Sequence, residues 1–469
     1  MPRHVLLVEP KYPTKFPPLG LMKISAYHKL LGDNVRFVKG YSKSVRFEFW
    51  DRVYITTLFT YHWQLTVSDI LAYKDLLHGD TSRLFVGGIM ASLMAEELWR
   101  QTGIRPIPGI LNKPASLDDD NDLIVDDLIP DYELFNGTQE KYTLLDSYFG
   151  YSTRGCVNKC KFCGVPKLEP KFVEYRGLIP YVKKIEELYG EKKDLVLFDN
   201  NILASKKFKQ IITDILDLGF EKGAKFQNIR LRHVDFNQGT DARLMKEWHF
   251  KLLSKICINP LRIAFDHIKL KNIYVDKVRL AAKYGIRNLS NYILYNYEDT
   301  PDDLWQRLKI NIDLNQEFGL KIYSFPMKYI PVYSKDRLYV NEPNWNWHFI
   351  RSIQRILNVT KGIVMPGSEF FYRAFGESSE EFHRILHMPE GILMTRGREP
   401  GTEELEWVRK FESFTANEKA ELLAVLNQNR TRAALKKAIA KTKNSKLKRL
   451  LQYYLPFDWE TKSLALFRA

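Results

Sequence analysis

The sequence Gly155-Cys156-Val157-Asn158-Lys159-Cys160-Lys161-Phe162-Cys163-Gly164 places three of the four cysteines within eight residues. Three thiolates in one loop can surround a single metal centre. A structural zinc ion needs four protein ligands, and no second close pair of cysteine or histidine follows at finger-like spacing. A cubane iron-sulfur cluster has four irons, so three cysteines leave one iron open to an outside ligand. The loop therefore predicts a metal centre with one coordination position left vacant.

Short apolar strands and helical patterns alternate on both sides of this loop. Strands too apolar to face water, alternating with helices, predict parallel sheets covered on both faces, with ligands at the carboxyl ends of the strands. We predict an α/β protein with four parts, namely a Rossmann-like domain (1–110), a linker (111–141), a partial (β/α)6 TIM-like barrel (142–333) and a mostly helical basic region (334–469).

Individual elements are predicted from apolar runs and capping residues. Helices are expected at 19–31 and 65–77, from a Ser205 cap to Gly219, and between a Thr300 cap and Gly319. The predicted strands of the first domain are Val5–Val8, Val35–Val38, Val53–Thr57 and Leu84–Val86. Those of the barrel are Leu144–Tyr148, Leu195–Phe198, Ile229–Val234, Leu261–Phe265, Asn288–Tyr295 and Lys321–Met327.

Composition excludes several classes of protein. An apolar fraction of 45% without long polar tracts argues against disorder and fibrous repeats. Four cysteines in 469 residues cannot form a secreted disulfide framework, and no apolar stretch approaches the length of a membrane span. We therefore expect a cytoplasmic protein without a membrane partner. Neither a phosphate-binding Gly-Lys-Ser/Thr loop nor a Gly-x-Ser-x-Gly elbow is present, which disfavours kinases, ATPases and serine hydrolases.

The net charge of +15 indicates anionic partners, and a run of basic residues concentrates it. Residues 430–449 contain nine lysines and arginines and no acid. The run fits a solvated helix face or a phosphate-binding surface. Aromatic residues that could stack on bases follow it, namely Tyr453, Tyr454, Phe457 and Trp459. An aspartate-rich segment, Asp118–Asp127, is interpreted as linker, because it lacks the glycine and terminal glutamate of a calcium loop.

The C-x-x-x-C-x-x-C spacing, with an aromatic residue before the last cysteine, resembles the radical S-adenosylmethionine (SAM) superfamily. The resemblance implies a [4Fe-4S] cluster on Cys156, Cys160 and Cys163, with Phe162 bordering the adenine of SAM. It also implies that the open iron chelates SAM and that cluster reduction yields a 5'-deoxyadenosyl radical. An electron donor such as flavodoxin or ferredoxin is implied as well, and no catalytic residue is assigned.

Further site residues follow from the same resemblance. Asp199-Asn200-Asn201 stands where the family has a motif that hydrogen-bonds the methionine amine, although the commoner motif there is Gly-Gly-Glu. Helix capping is the structural alternative for these asparagines. Polar side chains are also expected at the barrel mouth, namely Asp241, Arg243, Asp266 and Asn291. His233 and His267 end adjacent predicted strands and could touch substrate, whereas Cys257 is interpreted as a small buried residue.

Residues 1–141 resemble the cobalamin-binding domain that precedes the barrel in one class of this superfamily. The resemblance rests on Pro17–Leu21, Thr56-Thr57-Leu58, Val86-Gly87-Gly88 and Ile129–Tyr132. The Asp-x-His-x-x-Gly signature is missing, since residues 9–20 contain no histidine. Some members of the class bind cobalamin without that histidine, and others keep the domain without the cofactor. Gly87 and Gly88 are also explained by a tight turn between strand and helix.

Two functions are consistent with these observations. The first is a radical SAM enzyme that modifies an anionic or nucleic-acid substrate by hydrogen abstraction or, if cobalamin binds, by methylation. A small metabolite or a peptide would fit the sequence nearly as well. The second is a nucleic-acid-binding protein without catalysis, in which zinc is held by the three cysteines and a distant residue. Only the first explains six strand-helix units converging on a loop that is one ligand short.

Overall fold

The structure is a computed structural model that describes residues 2–455. The chain forms two compact units. The first contains the chain up to Arg262 together with Ile330–Arg337. The second contains Ile263–Tyr329 and the described residues from Leu338 onward. The domain boundaries at 110, 141 and 333 stay predictions, because this division follows compactness alone.

The first unit begins with a four-stranded parallel sheet in the order β2-β1-β3-β4. Its strands are β1 (His4–Glu9), β2 (Asn34–Lys39), β3 (Arg52–Thr57) and β4 (Leu84–Gly88). Its helices are α1 (Leu19–Leu30), α2 (Trp63–Leu76), α3 (Ile89–Leu93) and α4 (Ala95–Thr102). Val5–Val8 are fully buried, since a central parallel strand is covered on both faces. The predicted parallel α/β arrangement of this region is confirmed.

The aspartate-rich segment forms ion pairs with lysine and arginine side chains of the first unit. Asp118 accepts hydrogen bonds from Arg3 and Tyr27 and pairs with Arg52. Asp126 pairs with Lys23 and Arg176. These aspartates therefore serve as ion-pair partners that fix the connection between the two sheets of the unit.

A second parallel sheet of the first unit has the order β5-β6-β9. The remaining strands of this unit are β5 (Ser147–Gly150), β6 (Asp194–Leu197), β7 (Lys225–Phe226), β8 (Arg230–Leu231), β9 (Val234–Phe236) and β10 (Leu261–Arg262). The remaining helices are α5 (Val165–Leu168), α6 (Leu178–Tyr189), α7 (Phe208–Asp217) and α8 (Glu247–Leu253). The predicted partial barrel stays a prediction, because the pairings within each unit establish parallel sheets only.

Several predicted boundaries in this region differ from the structure, and the strand expected at Leu261–Phe265 is formed only at Leu261–Arg262. The run Ile229–Val234 is not one strand, because Gln227 and Asn228 have positive φ and turn the chain into an antiparallel hairpin of β7 and β8. The first strand lies at Ser147–Gly150 instead of Leu144–Tyr148, since a turn occupies the residues after Tyr142. Helix α7 begins at Phe208, three residues after the predicted cap.

The second unit contains a pair of parallel strands and most of the helices. The strands are β11 (Asn288–Tyr295) and β12 (Lys321–Lys328). The helices are α9 (Lys271–Lys283), α10 (Pro301–Phe318), α11 (Trp347–Val359), α12 (Ser368–Phe375), α13 (Ser379–His387), α14 (Glu390–Thr395), α15 (Thr402–Glu412), α16 (Ala416–Gln428), α17 (Arg432–Lys441) and α18 (Ser445–Leu451). Helix α10 matches its prediction, with a Thr300–Asp303 capping box at one end and Gly319 in the left-handed conformation at the other.

One apolar core joins the helices of the second unit. It contains aromatic side chains of α11, α12, α13 and α15 and aliphatic side chains of α16, α17 and α18. The predicted mostly helical character of this region agrees with the described residues. None of the helices within residues 2–455 is long and apolar enough to cross a bilayer.

Candidate functional site

The cysteine loop, residues 154–164, begins four residues after the end of β5 and is anchored by the adjacent strand β6. Asp199 follows β6, is 1% exposed, and accepts hydrogen bonds from the amides and hydroxyls of Ser152 and Thr153. Burial raises the pKa of this carboxyl, and the four donors act in the opposite direction. Asp199 therefore fixes the start of the loop, and its predicted role toward the SAM amine stays a prediction.

Glu169 follows the loop in the chain and contacts residues at its start. Its Oε2 accepts from the Gly155 amide at 2.7 Å and from the Asn200 side chain at 3.3 Å, while Arg154 pairs with Oε1 at 3.1 Å. Gly155 has φ +69°, and a Cβ there would lie 2.4 Å from the carbonyl oxygen of Lys171. Only glycine fits this position without moving the backbone. The sequence reasoning missed Glu169, because a lone acid in a loop shows no periodicity.

The three cysteines of the loop are unbridged, and backbone N–H groups contact two of their sulfur atoms. None of the four cysteines forms a disulfide, and those of the loop are partly buried. The Asn158 amide donates to Cys156 Sγ at 3.3 Å, and the Val165 amide donates to Cys163 Sγ at 3.5 Å. Backbone N–H groups directed at sulfur complement the negative charge that a metal-bound cysteine carries.

Asn201 brings a polar side chain to the first cysteine. Its Nδ2 lies 3.5 Å from Cys156 Sγ, and its Oδ1 is buried without a hydrogen-bond partner among the described residues. A buried acceptor without a donor is costly, so this oxygen has the chemistry expected for an ammonium or N–H group of a ligand. Of the predicted Asp199–Asn201 set, Asn201 thus contacts a cysteine and has an unpartnered acceptor, its Oδ1.

Asp241 and Arg243 reach the loop from the segment after β9. Asp241 accepts from Arg243 at 2.7 and 2.8 Å and from the Asn158 side chain at 2.9 Å. Burial alone would raise the pKa of Asp241, but these hydrogen bonds hold it below its ordinary value. The Arg243 guanidinium also interacts with Cys160. The predicted pair therefore lies at the cysteine loop, where Arg243 supplies positive charge beside a sulfur.

These donors fit a cluster better than a single ion. Within residues 2–455, no three Asp, Glu, His or Cys side chains converge closely enough to hold one metal ion. In a cubane each cysteine binds its own iron, so its ligands need not meet at a point. Three thiols, amides directed at two of them and a nearby cation suit an anionic iron-sulfur cluster. The zinc hypothesis has no support in the described residues.

The remaining predicted site residues are Phe162, within the cysteine loop, and Asp266 and Asn291, in the second unit. Phe162 is part of the loop and is partly buried. In the second unit, the Asp266 carbonyl accepts from the buried Arg307 at 2.9 Å. Asn291 donates to the Tyr274 hydroxyl at 2.9 Å, and its Oδ1 is buried without a partner among the described residues. Their predicted roles toward SAM stay predictions.

The predicted histidines and Cys257 have local structural explanations. The amide of His233 donates to Asp194 Oδ1 at 2.8 Å, and burial lowers the pKa of its ring. His267 Nδ1 accepts from the Lys269 amide and caps a short helical turn. Cys257 is partly buried, and burial raises the pKa of its thiol to about 12.

The Gly87-Gly88 edge of the first sheet is closed by packing within the chain. A Cβ on Gly88, which has φ +100°, would lie 2.3 Å from the carbonyl oxygen of Thr57. The Thr57 hydroxyl donates to Gly87, and the Ser92 hydroxyl donates to Gly88. Gly88 is therefore required by contacts of the protein with itself, whereas a Cβ on Gly87 would meet only an ordinary contact at 3.6 Å.

Aromatic side chains cover the neighbouring carboxyl ends of β1 and β3. Tyr12 is 1% exposed, donates or accepts a 2.6 Å hydrogen bond with Thr66, and packs on Phe59 and His62. Tyr61 stacks on Phe59 at 4.8 Å. This is the point where strand order reverses and where ligands of such sheets bind. The residues present here give no support to cobalamin, so no chemical step is derived through it.

Comparisons with known proteins give a fold and no sequence family. No protein-family model matches the sequence, and no curated protein matches it. Among solved structures, the chain is similar to the radical SAM methyltransferase TsrM from Kitasatospora setae with cobalamin and a [4Fe-4S] cluster bound, with a TM-score of 0.50 and 15% identity over 71% of this chain and 77% of that one.

A second structure of TsrM, with tryptophan and a SAM analogue, matches with a TM-score of 0.49 and 16% identity over 67% of this chain and 71% of that one. The cobalamin-dependent radical SAM enzyme OxsB matches with a TM-score of 0.46 and 12% identity over 96% of this chain and 70% of that one. The first of these matches, at a TM-score of 0.50, shows that the chain shares the fold of the radical SAM methyltransferase TsrM.

Proposed function

We propose that this chain is a radical SAM enzyme in which Cys156, Cys160 and Cys163 hold a [4Fe-4S] cluster. The observation that supports this most strongly is the construction of the cysteine loop. Its three thiols stand in one loop, two of them accept backbone N–H groups, and the start of the loop is held by the buried Asp199 and the partly buried Glu169. Such prior organisation is what a resident cluster with three ligands requires.

When bound, the cluster would supply one electron that breaks a C–S bond of the SAM sulfonium, releasing methionine and a 5'-deoxyadenosyl radical. The residues of this chain have simpler tasks. Amides at Asn158 and Val165 stabilise negative charge on sulfur, and Arg243 adds a positive charge beside Cys160. We assign the unpartnered Oδ1 of Asn201 to accept a hydrogen bond from the SAM ammonium group.

The proposal is tested by metal and product analysis of anaerobically purified and reconstituted protein. We expect about four irons and four sulfides per chain. With dithionite as the reductant, SAM should yield 5'-deoxyadenosine and methionine. Cys160→Ala should lose the cluster, because two cysteines cannot hold it. Cys257→Ala is the matched control and should keep the iron content of the wild type. One zinc per chain without iron, or an intact cluster that leaves SAM unchanged, would contradict the proposal.

A second variant tests the Asn201 assignment without depending on turnover. Asn201→Ala removes an acceptor for a charged donor, so we expect SAM to bind about tenfold more weakly while the iron content stays the same. Asn200→Ala is the control, since that side chain is directed at Glu169. Equal affinity of both variants for SAM, measured by isothermal titration calorimetry, would show that Asn201 does not contact the ligand.

A further inference from the structure

The last two described helices and their flanking residues concentrate the positive charge of the chain. Residues 430–449 carry nine lysines and arginines and no acidic residue, whereas the whole chain has a net charge of +15. Nine of those fifteen excess charges therefore lie in twenty residues. More than half of the net positive charge of the protein is therefore concentrated in this segment.

Most of these cations are exposed and lack acidic partners. We define the basic helical surface as the eight exposed ones, Arg430, Arg432, Lys436, Lys437, Lys441, Lys443, Lys448 and Arg449. Among the described residues, none of the eight forms a salt bridge, whereas the ninth cation, Lys446, pairs with Glu418. Ordinary solvated surfaces mix both signs, and clustered like charges repel one another. A surface of this kind is stabilised when an anion covers it.

The apolar side chains of the same helices are not available to a partner. Helix α17 buries Leu435 and Ile439, and α18 buries Leu447, Leu450 and Leu451 in the core of the second unit. A helix that binds a membrane surface inserts such an apolar face between lipids. Here that face is already used, so the cations point to a partner recognised in water by charge alone.

The aromatic residues nearest the basic helical surface are also engaged. Tyr454 is 2% exposed, and its hydroxyl donates to the carbonyl of His387. Tyr453 bonds with Lys410 and Glu406. The predicted stacking role is therefore unavailable to Tyr454, while Phe457 and Trp459 lie outside the described residues. Up to residue 455, this surface presents charge without an exposed aromatic ring, which favours contact with a phosphate backbone over contact with unpaired bases.

We propose that the basic helical surface binds the phosphate backbone of a double-stranded nucleic acid. Helix α17 has ten residues and is about 15 Å long, which corresponds to about nine phosphate charges along a duplex axis. Binding of this kind releases condensed counterions and is independent of base sequence. It does not require the iron-sulfur site, whereas a role of the bound nucleic acid as substrate would rest on the proposed function.

The experiment measures binding of the full chain to fluorescently labelled duplex DNA and duplex RNA by anisotropy, over a series of salt concentrations. The test variant is the triple change Lys436→Glu, Lys437→Glu and Lys441→Glu. Its matched control is Lys206→Glu, Lys207→Glu and Lys209→Glu, three exposed lysines of the first unit. Both variants lower the net charge equally. A difference in duplex affinity between them therefore depends on where the charge lies and not on the total charge of the chain.

We expect at least about tenfold weaker duplex binding by the test variant, with a salt dependence reduced by about three in the slope of log K against log salt. The control variant should stay close to the wild type. DNA and RNA arms show which duplex is bound, and loss of binding to both in the test variant supports the proposal. Iron content measured on the same samples separates failure of this proposal from failure of the cluster assignment.

Three outcomes would overturn it. One is equal loss of binding in both variants, which would reflect net charge only. Another is duplex binding that does not weaken as salt is raised. The third is binding to vesicles of phosphatidylcholine with about one-fifth phosphatidylserine, lost in the test variant, without binding to either duplex. Circular dichroism of the test variant confirms that its helices are formed before any of these results is interpreted.

Discussion

The charged groups beside the cysteine loop have partners within the chain, whereas those of the basic helical surface do not have acidic partners among the described residues. Beside the loop, Asp199 and Glu169 accept hydrogen bonds or ion pairs from donors of the chain itself. On the basic helical surface, eight cations have no acidic partner among the described residues. The difference teaches what each region needs. A resident cluster requires ligands fixed before it binds, whereas a polyanion requires only accessible charge.

Each compact unit contains a buried titratable side chain with an unpartnered polar atom, and the two side chains are of opposite kinds. In the first unit, Asp69 is buried and its Oδ2 lacks a hydrogen-bond partner among the described residues. In the second, His348 is fully buried and its Nδ1 lacks one. Burial disfavours the charged form of both side chains, which makes the pH dependence of stability opposite in sign.

The largest effect is expected from breaking the fixed geometry of the cysteine loop. Gly155→Ala would place a Cβ 2.4 Å from the Lys171 carbonyl oxygen at a positive φ. We expect the free energy of unfolding to fall by about 3 kcal/mol and iron loading to be lost. Gly164→Ala is the control, because its φ is −80° and its nearest contact is the flexible Leu93 side chain at 3.2 Å. Normal iron content in Gly155→Ala would show that the loop can bind the cluster after a change in its backbone conformation.

An intermediate effect is expected when the pH is lowered, because the buried His348 of the second unit makes the free energy of unfolding depend on pH. Burial lowers the pKa of His348 to about 3, against 6.5 in an unfolded chain. The stability contributed by the neutral ring is complete above pH 6.5 and is lost as the pH falls toward 3. Between pH 6.5 and 5 the loss is about 2 kcal/mol. Urea unfolding of wild type and His348→Gln, compared at about pH 7 and about pH 5, should show a smaller loss in the variant; equal losses would contradict this.

The smallest effect is expected at Asp69 in the first unit. Burial raises the pKa of its carboxyl to about 6, against an ordinary value of 3.8. The protonated form contributes stability below pH 3.8, and this contribution is lost as the pH rises toward 6. Asp69→Asn keeps an acceptor without the charge, so we expect it to stabilise the protein by about 1 kcal/mol near neutral pH. Asp75→Asn, at an exposed position, is the control for thermal unfolding. A destabilised Asp69→Asn would show that the charge is compensated.

Elements with complete local signals were predictable from the sequence. Strand β11 matches its predicted limits, and α10 lies between the predicted cap and the predicted glycine. Local chemistry decides such elements, because caps and apolar periodicity act within a few residues. The hairpin of β7 and β8 was not predicted, since positive φ at Gln227 and Asn228 overrode an apolar run. Most polar partners also escaped prediction, because they are distant in the chain.

The sequence by itself determined the trio of cysteines, their spacing and the basic segment, since each is a property of neighbouring residues. Tertiary structure decided what surrounds them. It joined Asp199 to Ser152 and Thr153, brought Arg243 to Cys160, and buried Tyr454 while leaving the cations of α17 exposed. The physical reason is that hydrogen bonds and burial depend on distances in space, which residues far apart in the chain acquire only when it folds.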